Sequence, residues 1–274
     1  MTAIAVLQMT AGIEPAANAD TLERAVAESA AGGAAMLFTP EMSGLIDRDK
    51  ARAAEHLMPE DRDAVLARVR SAAAAHGLWV HLGSLAVRRE DGRLANRGYV
   101  IDDRGDIRAC YDKMHLFDVD LPSGESWRES ASYAPGERAV VVDTPVGRLG
   151  LAICYDLRFP ALFAALTEAG ATLLSVPAAF TRPTGAAHWH VLLRARAIEA
   201  GVHLVAAAQT GEHQDGRATY GHSLVVGPWG EVLLDMGDAA GLGFAAIDSA
   251  QVDAVRQRLP AIRHRRPIPP VVQS

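Results

Sequence analysis

Residues 149–160 read LGLAICYDLRFP. An apolar run of strand character ends on Cys154, and the chain passes at once into Tyr155, Asp156, Leu157 and Arg158 before Pro160 starts a helix. Free cysteines are usually small hydrophobes packed among other apolar residues. Here the thiol is delivered to the point where chain direction changes, beside a carboxylate and a guanidinium. That is a setting for a nucleophile, and it marks a strand–turn–helix unit in the middle of the chain.

Working outward, the same alternation continues in both directions. AIAVLQM (3–9) reads as a strand, and 18–33 as a helix opened by the capping candidates Asn18 and Asp20 and stopped at Gly32-Gly33. A strand over 34–40, a helix over 61–77 and a strand over 78–85 follow. Residues 96–113 and 139–154 read as hairpins. Helices at 160–169 and 186–200 alternate with strands at 171–176 and 202–208, and a hairpin then turns at Pro228-Trp229-Gly230. A strand over 243–249 and a helix over 250–260 complete the pattern. Hairpins interrupt the βαβ units, so the expected class is α/β with two buried sheets and helices outside, rather than one doubly wound sheet. No linker, composition break or repeat divides the chain, which reads as one domain over 1–274.

Composition narrows the partners. The chain has 274 residues, is 49% hydrophobic and 22% charged, and carries a net charge of −6. An acidic balance argues against nucleic acid or an anionic membrane, both of which need a basic footprint. The run RHRRP at 263–267 is short and reads as a solvated tail. Two cysteines, Cys110 and Cys154, make no disulfide framework, and the cytoplasm is the expected compartment. MTAIAVLQMT lacks a basic leader pattern and reads as a first strand rather than a signal. The longest apolar stretch, 161–180, is broken by Glu168, Gly170 and Pro177, so no membrane span is expected.

Three strand ends carry reactive groups: Glu41 closes AAMLFTPE, Lys113 closes RACYDK, and Cys154 closes LGLAIC. A thiol needs a base, which a partly dry carboxylate can supply. An ammonium can hold the oxyanion of a tetrahedral intermediate with help from a backbone N–H. Each group also has a plain reading, as a cap neighbour, a surface lysine and a packed thiol, and spacing alone leaves both open. Cys110, inside a hairpin, reads as structural. The histidines are scattered without metal-ligand spacing and no glycine-rich phosphate loop occurs, so neither a metal nor a cofactor is expected.

LFTPEM (37–42), YDKMHLFD (111–118) and GLAICYDLRFP (150–160), in that order, resemble the nitrilase superfamily of carbon–nitrogen hydrolases over roughly 3–267. The resemblance implies a four-layer α-β-β-α sandwich, with Glu41 as general base, Lys113 as oxyanion stabiliser and Cys154 as nucleophile. It also assigns Glu129, in WRESASYAPGE, as a second carboxylate that positions the lysine and substrate. TG-x-AHW at 184–189, LLRARAIE, AAAQ-x-G-x-H and YGHS are closest to the deaminated glutathione amidase branch. That branch implies hydrolysis of deaminated glutathione, through a cysteine acyl-thioester, to 2-oxoglutarate and cysteinylglycine. An ω-amidase acting on 2-oxoglutaramate or another small aliphatic amide is the alternative. A non-catalytic binding or scaffold relative is a third reading.

By the same resemblance Arg158, Phe180 and Thr184 line the substrate pocket, with Arg158 clamping a carboxylate; a salt bridge to Asp156 is its plain alternative. The N–H near Tyr155 joins the oxyanion site. Arg182 either meets an acidic extension of the substrate or faces solvent, and His188 and Trp189 read as structural. A small-molecule amide substrate and a homodimer or larger homo-oligomer are expected.

Overall fold

Strand β1 (Thr2–Gln8) divides its side chains between two cores. Ile4 and Val6 enter one cluster, Ala5 and Leu7 the other, as the twofold period of a strand requires. After helix α1 (Pro15–Ala31), strand β2 (Met36–Phe38) repeats the division, with Met36 and Phe38 on one side and Leu37 on the other. Burial on both faces is why these stretches are apolar without alternation.

The computed structural model describes residues 1–120, 124 and 126–273. Helices α2 (Lys50–Ala54) and α3 (Ala64–His76) lead to β3 (Trp79–Arg88), β4 (Leu94–Ile101) and β5 (Ile107–Asp112). A small ribbon, β6 (Asp118–Asp120) with β7 (Ser126–Arg128), follows. Then come β8 (Val141–Thr144), β9 (Gly147–Leu151), α4 (Pro160–Glu168), β10 (Leu173–Ser175), α5 (Arg182–Ala200) and β11 (His203–Ala206). A second ribbon, β12 (Thr210–Glu212) with β13 (Ala218–Tyr220), precedes β14 (Leu224–Val226), β15 (Val232–Asp235), β16 (Gly241–Ile247) and α6 (Ser249–Arg258).

Two six-stranded sheets result, ordered β16-β1-β2-β3-β4-β5 and β15-β14-β11-β10-β9-β8. Their inner faces share one core, where Ile4, Met36 and Phe38 cluster with Leu149, Leu173 and Leu204. Helices α1 and α3 cover the first sheet through Leu22, Val26, Leu66 and Val69. Helices α4 and α5 join the core of the second through Phe163, Leu166, Trp189 and Leu193. The architecture is therefore an α-β-β-α sandwich. Each fully buried leucine in these layers contributes about 1.5–3 kcal/mol relative to exposure.

Several boundaries differ from the sequence expectation. Helix α1 starts at Pro15, so Asn18 lies inside it rather than at its cap. Its buried amide ties two loops instead, accepting from the Gly12 N–H at 2.8 Å and donating to the Gly44 carbonyl at 2.9 Å. Helix α5 begins at Arg182, four residues before the expected start, because Pro183 suits a first helical turn. Strand β9 stops at Leu151, leaving Cys154 outside the ladder. The basic run is not a free tail: Arg265 donates to the Ala164 carbonyl and Thr167 hydroxyl, each at 2.9 Å. Among the described residues no helix is long and apolar enough to cross a membrane.

Candidate active site

Glu41 sits on a turn that follows β2 and crosses close over β3. A register shift between Leu82 and Leu85 bulges β3 at Gly83 and Ser84. Bulges re-aim the groups beside them. Here the Ser84 hydroxyl accepts from the Met42 N–H at 2.9 Å and the Ser84 carbonyl from the Ser43 N–H at 3.0 Å. A Cβ at Gly83 would lie 2.1 Å from the Thr39 carbonyl oxygen, so only glycine lets the turn approach. The turn buries Glu41 to 4% exposure.

Lys113 leaves the end of β5 and is 2% exposed. Its ammonium donates to Glu41 Oε1 at 2.9 Å and to both Glu129 oxygens, at 3.1 and 2.9 Å. Asn96, on β4, donates to Glu41 Oε1 at 2.9 Å and to Glu129 Oε1 at 3.2 Å. The second Glu41 oxygen accepts from the Ala179 N–H at 2.9 Å, and Glu129 Oε2 from the Phe117 N–H at 2.7 Å. Each carboxylate is thus fixed by several donors. Asn96 went unnoticed in the sequence because nothing in the strand NRGYVI marks it; only the pairing of β4 with β5 places it beside Lys113.

Cys154 opens a short 3-10 turn, Cys154–Arg158, with φ of 50°. That left-handed conformation is costly for a residue with a side chain, about 1–2 kcal/mol, and needs surrounding support. The Cys154 N–H donates to the Pro177 carbonyl at 2.9 Å. Asp156, fully buried, does the rest: one oxygen accepts from the Ile153 N–H at 2.9 Å and the Tyr111 hydroxyl at 2.8 Å. Its other oxygen accepts from the His115 N–H at 3.0 Å and lies 2.6 Å from His115 Nδ1. Asp156 therefore latches the Lys113 segment to the Cys154 turn. The Tyr155 N–H lies in the first turn of the helix, where backbone donors lack an intrahelical acceptor.

The electrostatics follow from this packing. Burial drives the Lys113 ammonium toward neutrality, but the charges of Glu129 and Glu41 outweigh it, and its pKa stands well above the ordinary lysine value. Burial and then the Glu41 charge push the Cys154 thiol well above its usual pKa; Lys113 opposes them. Glu41 raises the thiol pKa and the Ala179 N–H lowers it, so both act on the sulfur. The resting thiol is thus neutral with a carboxylate against it, so proton removal has to accompany attack rather than precede it. All four groups line one cavity of about 870 Å³.

The Carbon-nitrogen hydrolase family model matches residues 3–257. The chain belongs to the carbon-nitrogen hydrolase family. It is accordingly an enzyme that hydrolyses carbon–nitrogen bonds, and the nitrilase-type sandwich is the fold of its relatives. A Yersinia enterocolitica protein named deaminated glutathione amidase is 38% identical over 266 residues, covering 96% of this chain and 92% of that one. The Homo sapiens protein of the same name is 42% identical over 269 residues, covering 96% and 82%. The crystal structure of the Caenorhabditis elegans NitFhit protein superposes with a TM-score of 0.90 at 39% identity, covering 97% of this chain and 65% of that one.

Within this carbon-nitrogen hydrolase, the pocket residues expected from resemblance fall in different places. Tyr155, Phe180 and Thr184 line the cavity. Arg158 does not; its guanidinium lies 5.8 Å from the Phe180 ring centroid and 3.2 Å from His188 Nδ1. The alternative of a bridge from Arg158 to Asp156 is corrected too, since Tyr111 and His115 occupy that carboxylate. Arg182 points away from the cavity, 3.6 Å from the exposed Glu212. Trp189 is buried in the core, and its indole N–H donates to the His222 carbonyl at 2.8 Å. Cys110 packs against the outer core of the first sheet, where burial pushes its thiol up to about 11. Among the described residues one grouping of metal-ligand residue types does form, away from the cavity: His190, His222 and Asp235. Their wide sequence separation hid it.

Proposed function

We propose that this chain is a thiol amidase that cleaves deaminated glutathione to 2-oxoglutarate and cysteinylglycine. Cys154 attacks the amide carbonyl while Glu41 takes its proton. Lys113 and the Tyr155 N–H hold the oxyanion; one such donor contributes about 3–4 kcal/mol in the transition state. Glu41 then returns the proton to the leaving amine, and an acyl-thioester remains on Cys154. Water, deprotonated by Glu41, attacks the thioester, and collapse of that second intermediate expels the thiol and frees the acid. Glu129 and Asn96 keep Lys113 and Glu41 in place throughout. The observation that carries this reading is the Glu41 carboxylate, bonded to Lys113 through one oxygen and lining the same cavity as Cys154.

The substrate rests on the likeness to the Yersinia and human proteins and on the pocket's shape. Tyr155, Phe180 and Thr184, which line the cavity, form the wall for the 2-oxo acid end, and Arg158 stands behind Phe180. The catalysing unit is a homodimer or larger homo-oligomer, supported by the exposed Val191, Ile198 and Trp229 on α5 and the β14–β15 turn. A cytoplasmic location fits two free thiols. The deciding experiment compares kcat/KM for deaminated glutathione with that for 2-oxoglutaramate. Preference for the first supports the assignment; preference for the second makes the enzyme an ω-amidase. An acyl adduct trapped on Cys154, read by mass spectrometry, supports the covalent step, and its absence with both amides favours a scaffold. Sedimentation reads the oligomer.

A further inference from the structure

The cavity has a basic half that the bond-breaking steps do not use. Among the described residues its lining away from Lys113 carries Arg48, Lys50, Arg88, Arg93, Arg128 and Arg217, against one acid, Asp47. Asp47 is already paired with Arg52 at 2.6 Å. Arg128 is held by Asp120 at 2.9 Å and Arg217 by the buried Asp215 at 2.7 Å. Arg48 is exposed and, among the described residues, has no carboxylate partner. Its guanidinium lies 5.3 Å from the Trp127 ring centroid, and that of Arg217 lies 5.4 Å from the same ring. Two cations on one indole, of which only Arg217 has a counter-ion among the described residues, make a place for an anion.

That place is joined to the nucleophile by an aromatic wall. Tyr155, next to Cys154, meets Phe117 edge-on with ring centroids 5.1 Å apart. Phe117 meets Trp127 at 6.3 Å. All three rings line the cavity. An extended leaving group of two residues reaches about 7 Å beyond the scissile bond. A group of that length leaving Cys154 has the Phe117 and Trp127 rings of the same cavity to lie along. A primary amide releases ammonia and has nothing to put there.

We infer that Arg48 and Arg217, presented on Trp127, bind the terminal carboxylate of a peptidic leaving amine and so select short peptide amides over primary amides. The inference rests on the amidase reading above. The peptidic end of the substrate then lies toward the Arg48–Arg217 pair, past Phe117.

The test is Arg48→Gln, with Arg48→Lys as the charge-retaining control and melting temperature as the check on folding. Three amides are compared: deaminated glutathione, its C-terminal carboxamide and 2-oxoglutaramate. Loss of a charge-assisted contact should lower kcat/KM for deaminated glutathione roughly 10- to 100-fold, mainly through KM, and leave the other two within about twofold. Arg48→Lys should recover part of the loss. Equal losses on all three amides, or no loss on any, overturn the inference while the amidase reading stands. A wild-type enzyme inactive on every 2-oxo amide overturns that reading and this inference with it.

Discussion

Two clusters in this molecule have similar inventories and different consequences. Glu41, Lys113 and Glu129 form one; His190, His222 and Asp235 form the other. In the second, His190 and His222 each lie 2.9 Å from a different Asp235 oxygen. Both regions even contain a non-glycine residue in the left-handed region, Cys154 with φ of 50° and His222 with φ of 55°. Neither close ionisable groups nor local strain therefore marks an active site. The difference lies in water. Lys113 is 2% exposed and Glu41 5% at the side chain, whereas Asp235 is 33% exposed. Burial makes each charge in the first cluster depend on its partners, and the cavity brings a substrate to it.

The sharpest way to break this comparison is to remove the sulfur. Cys154→Ala should lower kcat by about 10,000-fold or more, because a nucleophile cannot be replaced by its neighbours. Its melting temperature should stay close to that of wild type, since alanine keeps the Cβ and the same left-handed backbone and removes only the sulfur. Activity within tenfold of wild type would put the chemistry elsewhere.

Next comes the ammonium. Lys113→Met leaves two carboxylates facing each other in a dry site, and breaking such a buried group costs about 3–5 kcal/mol. Denaturant unfolding should show that loss together with loss of turnover. Asn96→Ala removes one donor shared by both carboxylates; losing a hydrogen bond to a charged group costs about 1.5–3 kcal/mol, so kcat should fall roughly 10- to 150-fold with the fold retained. An unchanged kcat would make Asn96 a packing residue.

The pH dependence sharpens the electrostatic side. A free thiol titrates near 8.5. Burial and Glu41 raise that of Cys154, so its thiolate fraction stays small through that range, and alkylation of the free enzyme by iodoacetamide should not level off there. A plateau near pH 8.5 would mean an open, solvated sulfur. The smallest effect belongs to the surface cluster. Burial works against ionisation of Asp235, but His190, the Gly237 N–H and His222 outweigh it and hold its pKa below the usual value. Its contribution is therefore present above the unfolded carboxylate pKa and lost as pH falls through the folded one. Asp235→Asn should cost under about 1 kcal/mol at neutral pH and leave turnover unchanged.

The layer order was readable because buried strands are continuous apolar runs and the helices between them are amphipathic. Glu41, Lys113 and Cys154 were readable as reactive groups at strand ends, and resemblance added Glu129. What escaped notice depends on long-range pairing. The β3 bulge that aims Glu41, the Asn96 bridge and the Asp156 latch each join residues more than 30 positions apart. Helix starts also slipped, since Asn18 has the chemistry of a cap yet spends its amide on tying loops together.

The Asp156 latch has a consequence for how the protein comes to life in a cell. Its two oxygens reach Tyr111 and His115 from one half of the chain and Ile153 from the other. A ribosome that has released only the first half has made a base and a cation with no nucleophile beside them. The newborn chain stays chemically silent until the halves close on each other, and the first turnover reports that they have.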